Sequence, residues 1–365
     1  MLVLDNNWGN VPERFIRNLA YVSSMQDNLL PISYYAGVLD SLARVQFDIQ
    51  QDEGETTFTV RSSLRIRTQD DSHLTSLIGE FLEAHDIEFD IFSRQNTYNY
   101  FHVFFRKDIR KIRRLLNGES TQLIRELSFV VGPYQKHFNT KILEPPEVYR
   151  LITAIYELFF DQRLTPKWHP KPKQFASKFN ISTDSLDKID IPVGTFRDNY
   201  PVEYIAGIID ALAAFRPGIH TTSYSIGYGM TPIIRIHRGG VHPAYACAVK
   251  QFCNNTGLSS NSMGQINSLN TVIQGANAID SFAPEVGPYM IAKKDKLAYL
   301  DKELIPRFLS GEHHSKQGLY DLLVDFQSII NTNTGEDRSS QYTPEYFEKE
   351  WEGEINPADQ RAPHK

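Results

Sequence analysis

Tyr34-Tyr35-Ala36-Gly37-Val38-Leu39-Asp40-Ser41-Leu42-Ala43 and Tyr204-Ile205-Ala206-Gly207-Ile208-Ile209-Asp210-Ala211-Leu212-Ala213 are two versions of one decapeptide. Each carries a tyrosine, an Ala-Gly pair, two branched aliphatics, an aspartate, a small residue and Leu-Ala. Gly37 and Gly207 stand 170 residues apart (207 − 37), so the chain reads as an internal duplication. The decapeptide is a helix in which Ala36-Gly37 and Ala206-Gly207 admit a second backbone at short range while the aliphatics bury themselves. Two unrelated amphipathic core helices are the other reading of these residues.

Outward from the first decapeptide the period changes. Val45, Phe47 and Ile49 alternate with Arg44, Gln46, Asp48 and Gln50, the pattern of a half-buried strand. Asp52-Glu53-Gly54-Glu55 makes a turn, and a second strand runs over 57–67. One of its faces is Phe58, Val60, Ser62, Leu64 and Ile66; the other is Thr59, Arg61, Ser63, Arg65 and Arg67. A helix over 71–85, strands over 88–94 and 98–106, and a basic helix over 107–116 complete the half. The second half repeats the order, with strands near 219–224 and 230–238, a helix over 241–254, and polar strands near 264–270 and 271–275. A second shared landmark, Val131-Gly132-Pro133-Tyr134 and Val286-Gly287-Pro288-Tyr289, supports the duplication further.

These patterns divide the chain into an N-terminal extension (1–30), a first repeat (31–140), a connector (141–196), a second repeat (197–332) and a polar tail (333–365). The connector holds a helix over 146–160 and a Pro/Lys-rich run, 166–173, that reads as extended. The tail reads as flexible apart from an aromatic docking piece, Tyr346, Phe347 and Trp351. At 365 residues and 41% apolar content the chain can bury sizeable cores. Its net charge of −6 excludes a uniformly basic nucleic-acid binder but not a local basic face. Two cysteines, Cys247 and Cys253, exclude a disulfide framework and a four-thiolate zinc site. With no signal-like start and no apolar run of about 20 residues, a soluble intracellular protein is expected, without a membrane partner.

Two Ala-Gly-aliphatic-aliphatic-Asp helices, each followed by hairpin, helix, hairpin and helix, resemble the LAGLIDADG homing endonucleases in their two-repeat, single-chain form. His314-Ser315-Lys316-Gln317-Gly318-Leu319 is similar to the His-x-x-x-Gly-apolar step common late in that family. The resemblance covers about 31–138 and 200–330. It implies an α+β protein, a duplicated αββαββα fold, with two four-stranded antiparallel sheets forming a saddle around a central pair of motif helices. It implies packing of those helices through Ala36, Gly37, Ala206 and Gly207, a monomer with internal pseudo-twofold symmetry, and double-stranded DNA held in the major groove. Intron RNA is the further partner that relatives of this fold suggest.

The family also implies two metal-holding carboxylates, one per repeat, at the eighth motif position. Here those positions are Leu42 and Leu212, and the ninth-position glycine is alanine in both, Ala43 and Ala213. Leucine cannot ligate a hard cation. A DNA-binding protein that has lost cleavage is therefore expected, with no metal site and no cofactor. The alternative is an active nuclease using Mg²⁺ on displaced carboxylates, Asp40 and Asp210 or Asp48. Lys293, counted from the Pro-Tyr landmark, falls where the family often keeps an active-site lysine, and the same count in the first half reaches Phe138. A further alternative is a protein-interaction module.

The DNA face is legible without the family. Arg61, Arg65 and Arg67 share one strand face, and arginine grips phosphate or pairs with guanine. Arg44, Gln46 and Arg94 join them from neighbouring strands. The second half offers Arg235 and His237, with the amides Gln265 and Asn267. Gly227-Tyr228-Gly229 lacks a dinucleotide pattern, and His313-His314 lacks a partner at ligand spacing.

Overall fold

The computed structural model describes residues 30–69, 73–94, 98–121, 123–138, 142–160, 171–184, 186–194, 197–223, 225–236, 244–263, 270–329 and 341–357. Pro31 precedes the first motif helix, α1 (Ile32–Leu42), and Pro201 precedes its counterpart, α7 (Val202–Leu212). Both prolines lie outside the first helical turn, where the missing N–H costs nothing. Each helix runs straight into a strand at its Leu-Ala end, where Ala43 and Ala213 adopt extended backbone.

In the first half α1 is followed by β1 (Ala43–Gln51), β2 (Phe58–Gln69), α2 (His73–Ala84), β3 (Asp90–Arg94), β4 (Tyr98–Val103) and α3 (Arg106–Leu115). Helix α4 (Leu123–Phe129) continues through a π-helical turn, Val130–Tyr134. The short strand β5 (Ile142–Leu143), α5 (Pro145–Phe160) and α6 (Pro172–Lys178) link the halves. After α7 come β6 (Ala213–Thr221), β7 (Tyr228–Ile236), α8 (Ala244–Thr256), β8 (Asn261–Met263), β9 (Asn270–Gln274) and α9 (Ala276–Val286). Helices α10 (Lys294–Tyr299), α11 (Ile305–Leu309), α12 (Lys316–Ile329) and α13 (Pro344–Glu350) complete the described chain. The sheets are antiparallel, ordered β1-β2-β4-β3 (with β5 on β2) and β6-β7-β9-β8.

One interval of 170 residues recurs through most of the repeat. It relates α1 to α7, β1 to β6, the starts of β2 and β7, and the starts of α3 and α9. It also relates the π turn Val130–Tyr134 to a second π turn, Leu300–Leu304. The Val-Gly-Pro-Tyr landmark does not obey it. Val131 to Tyr134 lies within the π turn, whereas Gly287–Tyr289 is a 3₁₀ turn between α9 and α10. The two stretches are unrelated turns that share four letters. The counterpart of Lys293 is consequently Leu123, not Phe138.

Two further expectations change. The first strand of the second half begins at Ala213, well before residue 219, because the alternation Ala213, Phe215 against Ala214, Arg216 is masked in the sequence by Pro217-Gly218. Pro172 opens α6, so the Pro/Lys-rich run is not extended at its end; residues 161–170 lie outside the described residues. Phe175 of α6 and Phe179 pack on Phe58 with ring centroids 5.5 and 5.4 Å away. The aromatic docking piece expected in the tail is present: Thr343 caps α13, and Phe347 and Trp351 pack on Tyr228 at 5.0 and 5.7 Å. Phe58 and Tyr228 are equivalent positions, so each sheet has the start of its second strand covered by an aromatic cluster from the segment after its repeat.

The two motif helices pack against each other in the core. A Cβ on Gly37 would collide with the Tyr204 carbonyl, and one on Gly207 with the Tyr34 carbonyl. Backbone that close cannot shift without parting the helices, so any side chain there is overpacked. We expect Gly207→Ala to lower unfolding free energy by about 3 kcal/mol or more, read as a reduced urea midpoint. A midpoint equal to that of the parent would remove the helix contact from the centre of the fold.

Candidate functional site

The close approach of α1 and α7 lets each tyrosine reach the other helix's aspartate. The Tyr34 hydroxyl donates to Asp210 Oδ2 at 2.8 Å, and the Tyr204 hydroxyl to Asp40 Oδ2 at 2.6 Å. Both aspartates are buried, at 1% exposure for Asp40 and 0% for Asp210. Each also holds the turn that leads into the final helices of its own half. Asp40 accepts from Ser120 Oγ (2.6 Å), Thr121 N (2.8 Å) and Leu123 N (2.9 Å). Asp210 accepts from Ile291 N (2.7 Å), Ala292 N (3.1 Å) and Lys293 N (2.8 Å). Backbone N–H groups satisfy these carboxylates, as a buried charge requires. Burial and the facing aspartate push both tyrosine hydroxyls upward from their ordinary pKa.

Lys293 lies part-buried against the C-terminal end of α7. Its amine donates to the Ala213 carbonyl at 2.7 Å and the Ile209 carbonyl at 3.4 Å, closing the C-terminal end of the helix where a cation is favoured. Burial lowers its pKa to about 8, opposed by Asp210 and helped by Lys296. Leu42 is partly buried and Leu212 is 9% exposed, both packed with the hydrophobic core. The side chains at the helix-pair base thus do not fit a divalent metal: the leucines offer no oxygen, and the aspartate oxygens are occupied by N–H and O–H donors. Among the described residues no group of three His, Cys, Asp or Glu is placed to hold a metal ion.

The open face of the first sheet, opposite the core, is where the predicted arginines meet. Arg44 pairs across strands with Arg65, Gln46 with Ser63, and Asp48 with Arg61. Arg65 donates to Gln46 at 3.3 Å. Burial is the main cause that draws Arg44 below its ordinary pKa, with Glu126 opposing and Arg65 and Arg67 adding to it. Three guanidiniums therefore crowd one end of the sheet. The side chain of Arg94 lies outside the described set, although its backbone pairs with Tyr98.

The rings on this face are what the sequence reading misses. Tyr100 and His102 of β4 face Arg67 and Arg65, and Phe92 of β3 faces Tyr100. The Arg65 guanidinium lies 3.9 Å from the Tyr100 ring centre and that of Arg67 3.8 Å from Tyr98. The signal is present as the alternation Tyr98, Tyr100, His102 and Phe104. In the second sheet the open face carries Arg216, His220, Thr231, Arg235 and Gln274, with Arg235 opposite Ala214 and Val272. Arg216 is also missed by the sequence pattern, which starts its strand too late. His237, Gln265 and Asn267 lie outside the described residues.

Two outcomes follow from the helix-pair base. Tyr204→Phe should lower stability by about 2 kcal/mol, the cost of losing a hydrogen bond to a buried carboxylate, measured by urea denaturation. Lys293 is depressed in the folded state relative to 10.5, so between pH 8 and 10.5 the unfolded chain binds more protons and stability rises with pH. Lys293→Met should flatten that rise. An unchanged pH slope in the variant would remove Lys293 as its source.

No protein-family model and no curated protein matches the sequence. Solved structures do match. The I-LtrWI LAGLIDADG homing endonuclease bound to target DNA superimposes with TM-score 0.60 at 15% identity, over 83% of this chain and 98% of that one. The meganuclease I-SmaMI bound to uncleaveable DNA gives 0.62 at 11%, over 84% and 98%. The LAGLIDADG homing endonuclease I-GzeII in complex with its DNA target gives 0.56 at 15%, over 84% and 100%. The duplicated α+β architecture, with its glycine-packed helix pair and two antiparallel sheets, the first carrying β5 as a fifth strand beyond the four expected, is the LAGLIDADG homing-endonuclease fold.

Proposed function

We propose that this chain binds double-stranded DNA through the open faces of its sheets and does not cleave it at the helix-pair base. The observation that carries the reading is the basic cluster of Arg44, Arg61, Arg65 and Arg67 on one open face. Three of them stand on one face of a single strand, Arg65 and Arg67 roughly 6.7 Å apart and Arg61 roughly 13 Å from Arg65. Guanidiniums on one strand face grip phosphates and pair with guanine edges in a major groove. Asp48 is opposite Arg61 in register and accepts from Gln46 at 2.9 Å, and Glu126 is the acid that acts on Arg44. The fold's solved neighbours in complex with DNA are consistent with this use of the saddle.

The resemblance puts metal-holding acids where this chain has Leu42 and Leu212. The displaced alternative, Asp40 and Asp210, would need both carboxylates to release their tyrosine and backbone donors before a metal could approach. We therefore read these aspartates as structural and Lys293 as the group that closes α7. Arg235, with Arg216, is the second half's contribution to the phosphate contacts.

Duplex affinity should fall steeply with salt, and Arg61→Ala with Arg65→Ala should weaken it roughly tenfold or more. The slope of log affinity against log salt should drop by about 2, one for each phosphate no longer gripped. Stability should fall by no more than about 2 kcal/mol, because Arg61 is exposed while the part-buried Arg65 gives up its contacts with Tyr100 and Gln46. Fluorescence anisotropy across a salt series measures all but the last. Absence of duplex binding at low salt would favour a protein ligand instead. A nick of plasmid DNA that requires Mg²⁺ and disappears in Asp210→Asn would overturn the non-cleaving assignment.

A further inference from the structure

The open face of the first sheet is aromatic to a degree that its fold does not require. Phe92 and Phe104 are 50% and 43% exposed. Phe92 meets the His102 ring edge-on at 5.0 Å, and His102 meets Phe104 at 5.5 Å. These three rings form a continuous row on the β3–β4 side of the face. Beside it, Arg65 and Arg67 lie over Tyr100 and Tyr98. Asp90, opposite His102, is the acid in register with the row.

The second half shows that the rings are dispensable for folding. Register with Arg235 puts Val272 where His102 stands, since Arg65 pairs with His102 and Arg235 with Val272. Gln274 follows two residues on, in the place of Phe104. Asn261 pairs with Val272 as Asp90 pairs with His102, so Met263 takes the place of Phe92. The same sheet is built without a ring at any of these three positions. Leaving two phenylalanines in water also costs hydrophobic stabilisation that burial elsewhere would have supplied.

Rings interleaved with arginines are what an unpaired base and its phosphate need. Each base has a π face that stacks on an aromatic ring whatever its sequence, and the guanidinium takes the backbone charge. A closed duplex offers only base edges to a protein face, and rings contribute little to reading those. We infer that the β3–β4 side of the first sheet, through Phe92, His102 and Phe104, is a stacking shelf for unpaired bases of a single-stranded nucleic acid, with Arg65 and Arg67 holding its phosphates. The inference rests on the nucleic-acid reading above and adds a ligand class to it. His102 is suited to the role while neutral, and burial together with Arg65 lowers its pKa, against Asp48 and Asp90.

The test uses the full chain and three fluorescein-labelled probes: oligo(dT), oligo(U) and a blunt DNA duplex. Phe92→Leu with Phe104→Leu keeps the apolar surface and removes the π faces, and Phe92→Tyr keeps a ring at the first position. The double leucine variant should lose about five- to a hundredfold in affinity for a single strand while duplex affinity changes less than twofold. Phe92→Tyr alone should bind the single strand like the parent. Binding of oligo(dT) or of oligo(U) meets the expectation equally, and their ratio shows whether the sugar is read. Full single-strand affinity in the leucine variant would overturn the shelf and leave an apolar docking surface. Duplex binding with no single-strand binding would overturn the shelf but not the DNA reading; failure of all three probes at low salt would overturn both. A melting curve for the leucine variant, expected to match the parent because the rings are exposed, separates lost stacking from lost fold.

Discussion

The contact on which the rest depends is backbone against backbone, where Gly37 meets Tyr204 and Gly207 meets Tyr34. Without a Cβ at either glycine the helices approach until a tyrosine hydroxyl of one reaches the aspartate of the other. That reach makes the buried aspartates tolerable, and the aspartates in turn gather the N–H groups of Thr121 and Leu123 in one half and of Ile291, Ala292 and Lys293 in the other. Those turns lead directly into α4 and α10. A hydrogen bond to a buried charge is worth about 1.5–3 kcal/mol, and removing one partner costs more than the bond contributed. Two glycines thereby fix, through the tyrosines and aspartates, where the last helices of both halves begin.

The same chain of causes explains what is legible in the sequence. The decapeptide can be read because its spacing is written in side chains: small residues for closeness, aliphatics for burial. The strands can be read because period-two alternation separates Val45, Phe47, Val60 and Leu64 from Arg44, Arg61 and Arg65. The turns that bind the aspartates cannot. They do so through backbone N–H groups, which every residue but proline possesses, so Thr121 and Leu123 perform the task of Ile291 and Lys293 with no letter in common. Val-Gly-Pro-Tyr misleads for the opposite reason, since its four letters agree and the geometry does not. Intervals of 81 and 83 residues from each aspartate to its donors give the true register.

Duplication constrains the buried face of each half and frees the open one. Phe58 and Tyr228 stand at equivalent positions, and both are covered by aromatic residues, from α6 in one case and α13 in the other. The covering segments differ in sequence because the requirement is only to keep water from one ring at the edge of a sheet. On the open faces no such requirement acts, and the halves diverge: arginines and rings in the first, Arg216, Arg235, Val272 and Gln274 in the second. A partner that engages both faces meets two different chemistries, so the pseudo-twofold symmetry of the scaffold does not extend to recognition.

The repeated motif therefore contains two positions near its end that the fold treats differently. At the sixth position an aspartate has structural work on two sides: a tyrosine across the helix pair and a turn within its own half. Replacing it would strand buried donors, and buried unpaired donors are among the costlier defects a core can hold. Two residues later, Leu42 and Leu212 pack with the hydrophobic core. Leucine there gains burial of roughly 1.5–3 kcal/mol when it joins the core. The sixth position is thus tied to the scaffold by hydrogen bonds on two sides, whereas the eighth is held by apolar packing alone.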